Sequence, residues 1–323
     1  MEVSISTNLD LRYASKKLGR DFVVTDRDLR IFEYLYTYLK LDFDQLSYLE
    51  KVSPANRKRL RQRLLTLSRA GCIHTFTGSL GKPPIFALLD KGIDIYLRSK
   101  IQDEDSSDFK PRRITRPRHK DAEKIRRHEI GISELAMIQA HAAAADPTGF
   151  FVCHRDIFQT ASESAIRSLH KWPVPVEWQD EMNAFWLAPD FLAGTGFSNR
   201  PEGKNVRFFS YEIDCSSETQ KPNTPLARGQ SILRKLLTYE VTIEQDLLKE
   251  FLGIDYLTPL FVFETEKRRD NAVELAQEVL SSRRVKGQIL FGLRPERPTA
   301  SSVPDFAALP WINGHGKETR VRL

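Results

Sequence analysis

Apolar residues in the first hundred positions recur every three or four residues, which predicts amphipathic helices. Residues 25–28 form a capping box before the first of these helices, and Asp42 marks the start of a short second helix. A third helix begins at Ser53, with Pro54 in its first position. The predicted buried stripe of this third helix consists of Leu60, Leu64 and Leu67. Together these signals predict a three-helix core.

Two runs of β-forming residues, 72–77 and 84–88, follow the third helix and flank a glycine-containing segment with Lys82 at its tip. They predict a hairpin, after which residues 91–98 return to a helical pattern. Three helices followed by a hairpin are typical of a winged helix-turn-helix domain, which we predict for residues 1–98.

The side of the third helix opposite its leucines carries basic and amide side chains and no acidic residue. Arginine and lysine contact phosphates and guanine, and glutamine suits adenine, so this face is typical of a DNA-recognition helix. The residues of this domain expected to bind DNA are Lys58, Arg59, Gln62, Arg63 and Lys82. A protein-docking or dimerisation module is the alternative interpretation, because winged helices also serve those roles.

Residues 99–122 separate this domain from the rest of the chain. An acidic stretch at 103–105 precedes the run 110–120, in which prolines interrupt lysines and arginines. This composition predicts a linker that buries nothing. Its arginines are expected to add contacts to the DNA backbone or minor groove, and they are Arg112, Arg113, Arg116 and Arg118.

From residue 123 to 296 the pattern alternates between helix and strand. We predict helices over 122–145, 226–247 and 270–282, and strands over 149–157, 185–192, 206–215, 257–264 and 288–293. This order, α-β-β-β-α-β-α-β, predicts an α/β (α+β) domain around one central mixed sheet. Residues 297–323 are assigned to a C-terminal tail.

Composition narrows the range of functions. The 323-residue chain carries a formal charge of +6, which fits a polyanionic partner. It contains no apolar run of the roughly 18 residues that a membrane span needs, so a cytoplasmic protein with no membrane partner is expected. Its three cysteines lack metal-ligand spacing, and no glycine-rich phosphate loop is present. We therefore expect neither a zinc site nor a nucleotide cofactor.

Carboxylates of the second domain mark a candidate metal site. Glu212 and Asp214 are two residues apart on one predicted strand and therefore share a face. Antiparallel pairing with the preceding strand would bring Asp190 beside Glu212. Carboxylates near a polyanion suit Mg²⁺ or Mn²⁺, which would hold a phosphodiester and lower the pKa of an attacking water. Lys235, on the next helix, is expected to face these acids.

The order of these motifs resembles that of the plasmid replication-relaxation proteins. After the winged helix and basic linker come His-Glu at 128–129, Pro-Asp at 189–190, Phe-Phe-x-x-Glu-Ile-Asp at 208–214 and Lys-x-x-x-Tyr at 235–239. The resemblance extends from about Val24 to Leu293. The second domain of that family is similar to the restriction-endonuclease-like PD-(D/E)XK nucleases, to which the MobC-type conjugative relaxases are also assigned.

The residues of the expected catalytic site are Asp190, Glu212, Asp214 and Lys235, and the resemblance implies that Asp190 and Glu212 are its metal ligands. It also implies that Lys235 replaces the lysine usually found two residues after the glutamate, where this chain has Asp214. The residues expected to support the site are His128, Glu129 and Tyr239.

Two functions stay open at this point. In the first, the winged helix binds a specific double-stranded DNA site, such as a plasmid or integrative-element origin, and the second domain nicks one strand with Mg²⁺. Other relaxosome or replication proteins are then candidate partners. In the second, both domains only bind DNA, and the protein is a transcription or replication regulator, or a relaxosome accessory factor, with a degenerate nuclease fold.

Overall fold

The computed structural model describes residues 12–13, 22–76, 82–100, 122–159, 161, 171–215, 219–220, 231–299 and 301–321. The chain divides into two compact units, Met1–Glu123 and Lys124–Leu323, and each buries its own apolar core. Over the described residues the protein is mixed α/β, with ten α-helices and a central seven-stranded mixed sheet. At this level the predicted fold class is confirmed.

The amino-terminal unit combines helices with a small antiparallel sheet. Its helices are α1 (Asp26–Tyr38), α2 (Phe43–Leu49), α3 (Arg57–Arg69) and α4 (Asp90–Lys100). Its strands are β1 (Arg12–Tyr13), β2 (Phe22–Val23), β3 (Lys40–Asp42), β4 (Ile73–Phe76) and β5 (Ile85–Leu88). Strand β5 lies between β3 and β4, whereas β1 pairs with β2 alone. The turn joining β4 to β5, residues 77–81, lies outside the described residues.

Local capping signals start the first two helices at the predicted positions. The backbone N–H of Asp28 donates to the Thr25 hydroxyl, and the Asp28 carboxylate accepts from the Thr25 backbone at 2.8 Å. Asp42 and Gln45 form the same reciprocal cap on α2. Beyond α3, Gly71 takes a φ of +76°, a left-handed conformation that glycine adopts without steric cost. The buried stripe of α3 is the predicted one, Leu60, Leu64 and Leu67.

The carboxy-terminal unit is built from helices packed on two sheets. Its helices are α5 (Ala122–Ala144), α6 (His154–Gln159), α7 (Ile232–Glu244), α8 (Leu247–Leu252), α9 (Glu266–Val279) and α10 (Arg283–Gln288). A separate hairpin consists of β7 (Trp172–Trp178) and β8 (Glu181–Leu187). The strands of the large sheet are β6 (Gly149–Val152), β9 (Phe191–Phe197), β10 (Val206–Asp214), β11 (Leu257–Phe263), β12 (Leu290–Leu293), β13 (Trp311–Asn313) and β14 (Glu318–Thr319).

The large sheet has the order β14-β13-β12-β11-β10-β9-β6 and is mixed. Strands β6, β9 and β10 pair antiparallel, whereas β10, β11 and β12 pair parallel. On one face, Gln139 of α5 donates to Thr195 at 2.9 Å and accepts from the Tyr211 hydroxyl. On the other, Lys235 of α7 lies against Glu212. Because side chains alternate between the faces of a strand, β10 presents neighbouring residues to two different helices.

The predicted strand over 185–192 is wrong, since it joins the end of β8 to the start of β9 and omits the β7–β8 hairpin. Strand β7 contains Pro173 and Pro175, which argue against a strand in the interior of a sheet. Here β7 pairs on one side only, so the missing N–H groups do not interrupt a larger sheet.

Three other boundaries differ from the sequence prediction. The helix predicted over 226–247 begins after the N-cap Ser231 and is interrupted at Asp246, which has a φ of +53°. The strand predicted over 149–157 ends at Val152, and α6 follows. The segment assigned to a tail contributes β13 and β14 to the sheet, because burying Trp311 extends the core across β12.

Candidate active site and candidate nucleic-acid surface

Ionisable side chains from α5, β10, α7 and the residue before β9 meet where β9 begins, near the carboxyl end of β10. They are His128 on α5, Asp190 directly before β9, Glu212 on β10 and Lys235 on α7. The antiparallel register pairs Phe191 with Tyr211, which places Asp190 level with Glu212. The structure thus brings together the two acids and the lysine that the sequence analysis selected.

Glu212 is the most enclosed member of this cluster, with a side chain only 1% exposed. Its Oε1 accepts from the Tyr239 hydroxyl at 2.5 Å. Its Oε2 lies 2.9 Å from Lys235 Nζ but accepts no hydrogen bond of good geometry from the described residues. Burial raises the pKa of the Glu212 carboxyl to about 7; the Lys235 charge opposes this shift and the Asp190 charge adds to it.

Asp190 is the solvent-facing acid of the cluster, with a side chain 17% exposed. Its Oδ2 accepts from the Ile213 backbone at 2.9 Å and lies 3.0 Å from His128 Nε2. Burial alone would raise the pKa of Asp190, but the charges of Lys235 and His128 and these hydrogen bonds lower it to about 2. Burial opposes protonation of His128, but the Asp190 carboxylate outweighs it and raises the His128 pKa. The pKa values of the two acids are therefore shifted in opposite directions.

Of the other predicted residues of this unit, Asp214 pairs with a residue outside the cluster, whereas Glu129 and Tyr239 interact with members of the cluster. Asp214 is buried, but its Oδ2 pairs with Arg268 Nε of α9 at 2.6 Å, and its Oδ1 has no hydrogen-bond partner among the described residues. Glu129 is half-buried, and its charge helps to raise the pKa of His128. Burial and the Glu212 charge raise the pKa of Tyr239 well above its usual value, so its hydroxyl remains a donor to Glu212.

Asp190 and Glu212 have the chemistry to hold one divalent cation. Carboxylate oxygens are the ligands that Mg²⁺ and Mn²⁺ prefer, and Asp190 is ionised and partly exposed. Glu212 Oε2 is a buried carboxylate oxygen whose charge partner is Lys235 Nζ, at 2.9 Å. The fit depends on these two carboxylates, since the described residues contain no group of three or more His, Cys, Asp or Glu side chains arranged for a metal ion.

In the amino-terminal unit, the outer face of α3 is exposed and basic, as predicted. Lys58, Arg59 and Gln62 are exposed there, and Lys82 is exposed beside β5. Arg63 is a correction to the predicted DNA-binding set, because it turns inward. Its guanidinium donates to the buried Asp28 carboxylate and to the Val23 carbonyl. The linker residues Arg112, Arg113, Arg116 and Arg118 lie outside the described residues.

Sequence reasoning missed several residues around both surfaces. Leu65 is 46% exposed among the basic side chains of α3, a position that the helical period could have identified. Arg268, the partner of Asp214, is 54 residues away in sequence. Glu134 of α5 is buried and pairs with Arg294 at 2.7 Å, across 160 residues. Only the folded chain reveals these last two pairs.

Comparison of the chain with protein-family models, curated proteins and solved structures finds no match. The function must therefore be argued from the geometry of the two surfaces. Among the described residues, no helix combines the length and apolarity that crossing a bilayer requires.

Proposed function

We propose that the protein binds duplex DNA through α3 of its amino-terminal unit and cleaves one DNA strand at the cluster of Asp190, Glu212 and Lys235. The observation that carries this proposal is the convergence of these three side chains, with Lys235 Nζ 2.9 Å from Glu212. The antiparallel β6-β9-β10 strands followed by parallel β11 support a restriction-endonuclease-like arrangement. In that arrangement the lysine comes from α7 instead of β10.

Each residue of the cluster has a distinct part in the proposed reaction. Asp190 and Glu212 would hold a divalent cation, which when bound supplies charge neutralisation at the phosphate and a more acidic water. Lys235 stabilises negative charge that develops on the phosphate. His128 and the Ile213 backbone orient Asp190, and Tyr239 orients Glu212.

The proposal for DNA binding has separate support in the amino-terminal unit. Helices α1, α2 and α3 and the antiparallel β4–β5 pair fit a winged helix, in which α3 is the recognition helix. The exposed side of α3 combines Lys58 and Arg59, which suit phosphates and guanine, with Gln62, which suits adenine. An exposed, acid-free helix face of this kind favours a nucleic acid over an acidic or neutral partner.

A supercoiled-plasmid assay tests the proposed cleavage, with the native genetic element of the protein as substrate. Wild-type protein should convert the plasmid to nicked circles only with Mg²⁺ or Mn²⁺. Asp190→Ala and Glu212→Ala should abolish nicking while leaving duplex binding intact. Lys235→Ala should lose about 100-fold or more, and Lys235→Arg should not restore full activity. Lys249→Ala, on the exposed surface of α8, is the matched lysine control and should nick normally.

One observation favours the non-catalytic regulator as the second candidate. Both acids already have protein partners: Asp190 contacts His128 and the Ile213 backbone, and Glu212 contacts Tyr239 and Lys235. Wild-type protein that binds its DNA site tightly, never nicks it and shows no calorimetric Mg²⁺ binding would establish the regulator and exclude the nuclease.

A further inference from the structure

The β7–β8 hairpin has one buried and one exposed face. Its inner side chains pack towards α7, where Trp172 Nε1 lies 3.5 Å from the Thr242 hydroxyl. The outer face is strongly apolar for a surface. Trp186 is 44% exposed and Met182 is 69% exposed, and the residue paired with Trp186 is the exposed Pro173. Contiguous apolar side chains exposed on one face are typical of an interaction surface.

A cation lies over the face of the exposed indole. Lys171 Nζ lies 4.8 Å from the centroid of the Trp186 ring. The acidic residues of the ribbon, Glu177, Asp180 and Glu181, lie at its turn, away from Trp186. The hairpin therefore has an aromatic, positively charged end and an acidic end, and the first of these suits a flat ring attached to an anion.

The aromatic end is also the end that leads into the candidate active site. Trp186 precedes Asp190 by four residues, so their Cα atoms are at most about 14 Å apart. On α7, Arg234 lies over the Phe185 ring at 4.3 Å, and the next residue is Lys235. A nucleic acid strand at the cluster would therefore pass within a few nucleotides of Trp186.

We propose that the outer face of the β7–β8 hairpin binds single-stranded DNA next to the cleavage site. A base stacks on Trp186 in place of the Lys171 ammonium, which moves to a neighbouring phosphate. This inference takes its substrate class from the proposed function. Stacking on an aromatic side chain tolerates any base, so this surface would hold an unpaired strand without reading its sequence.

Tryptophan fluorescence of the full chain tests this site without any cleavage. Trp172 and Trp311 are buried, Trp178 is partly buried, and Trp186 is the exposed one of the four. Titration with oligo(dT) in the absence of metal should quench the emission. Trp186→Ala should remove this quenching and weaken oligo(dT) binding by roughly 5- to 100-fold. Trp186→Phe should retain most of the affinity, because it keeps an aromatic face.

Two further variants sharpen the test. Lys171→Ala should weaken oligo(dT) binding and reduce the slope of log K against log salt by about 0.7, the value for one phosphate contact on a single strand. Tyr256→Ala removes another exposed aromatic side chain, 51% exposed beyond α8, and should leave oligo(dT) affinity unchanged.

The outcomes separate this inference from the proposed cleavage. Quenching that depends on Trp186 in a protein that never nicks DNA would support the single-strand site and refute the nuclease. Nicking by wild-type protein, with equal oligo(dT) affinity in wild type and Trp186→Ala, would refute the single-strand site alone. A Trp186→Ala protein that changes its oligomeric state in sedimentation, with unchanged oligo(dT) affinity, would assign this face to self-association and overturn the inference.

Discussion

Asp28 in the amino-terminal unit and Glu212 in the carboxy-terminal unit are both buried against a basic side chain, but their other hydrogen-bond partners differ. Asp28 is fully buried and accepts from the Thr25 backbone at 2.8 Å, the Thr25 hydroxyl at 2.9 Å and the Arg63 guanidinium. Glu212 is as deeply buried, but it has one short bond from Tyr239 and an ion pair with Lys235. The charge of a second acid, Asp190, also raises the pKa of Glu212.

This difference separates a structural ion pair from a candidate reactive one. In the amino-terminal unit, the hydrogen bond to Asp28 raises the pKa of Arg63, so each of the two charges stabilises the other. In the carboxy-terminal unit, burial and a neighbouring carboxylate raise the pKa of Glu212 to about 7. A strongly shifted pKa beside a specific charge partner is typical of a candidate functional site.

The largest expected effect comes from breaking the pair in the amino-terminal unit. Arg63→Ala should lower the free energy of unfolding of this unit by about 3–5 kcal/mol, because it leaves Asp28 buried without its cation. Since all four tryptophans lie in the carboxy-terminal unit, urea unfolding followed by far-UV circular dichroism and by tryptophan fluorescence resolves the two units. Arg59→Ala, on the exposed side of α3, should change stability by less than about 0.5 kcal/mol. Equal stability of the two variants would contradict the structural role of Arg63.

The next effect is a pH dependence of the carboxy-terminal unit. The pKa of Glu212 is raised from 4.5 to about 7, so the unfolded chain releases this proton at lower pH than the folded chain does. The contribution of Glu212 to stability is therefore present below pH 4.5 and lost as pH rises towards 7, by up to about 3 kcal/mol.

Glu212→Gln should remove this pH dependence. The free energies of unfolding of wild type and Glu212→Gln are measured by tryptophan fluorescence in urea. Relative to Glu212→Gln, the wild type should become less stable as the pH rises from 4.5 to 7.5. Glu181→Gln, an exposed acid on β8, is the control and should follow the wild type. A difference that stays constant over this range would refute the raised pKa.

A smaller effect is expected on DNA binding, where Arg59 points outward from α3 and Arg63 points inward. Arg59→Ala should weaken binding to the cognate duplex by about 1–3 kcal/mol relative to competitor DNA, because an outward arginine can contact a guanine edge. Arg63→Ala should alter that preference only through unfolding. Competition binding at 10 °C measures this site preference, after both variants are checked to be folded at that temperature. Lys51→Ala, exposed after α2, is the control for nonspecific charge loss. Unchanged site preference in Arg59→Ala would refute α3 as the recognition helix.

The smallest effect concerns Asp214, the acid on β10 that pairs with Arg268. Asp214→Asn should cost about 1–2 kcal/mol of stability, since it weakens a charged hydrogen bond to Arg268. Its nicking rate should fall by less than tenfold, in contrast to Lys235→Ala. A loss of nicking as severe as that of Glu212→Ala would instead make Asp214 a third acid of the candidate active site.

Local sequence signals predicted the elements whose causes are local. The capping boxes at Thr25 and Asp42 and the leucine stripe of α3 depend on residues three or four apart, so spacing suffices to identify them. The strand bearing Glu212 and the helix face bearing Lys235 followed from the same periodicities. The β7–β8 hairpin was missed because prolines argue against a strand, and they are tolerated in β7 only because it pairs on one side.

By itself, the sequence determined which faces of the helices and strands are apolar and which carry charge, because those faces follow from the 3.6- and 2-residue periods. The tertiary structure alone decided which charges meet. Arg63 pairs with Asp28 across 35 residues, and Asp214 pairs with Arg268 across 54. Such pairs depend on how the elements pack. The helical period places Arg63 beside the leucine stripe, three residues after Leu60 and four before Leu67, and places Arg59 towards the outer face. Only the folded chain shows that Arg63 meets Asp28, because their contact depends on how α3 packs against α1.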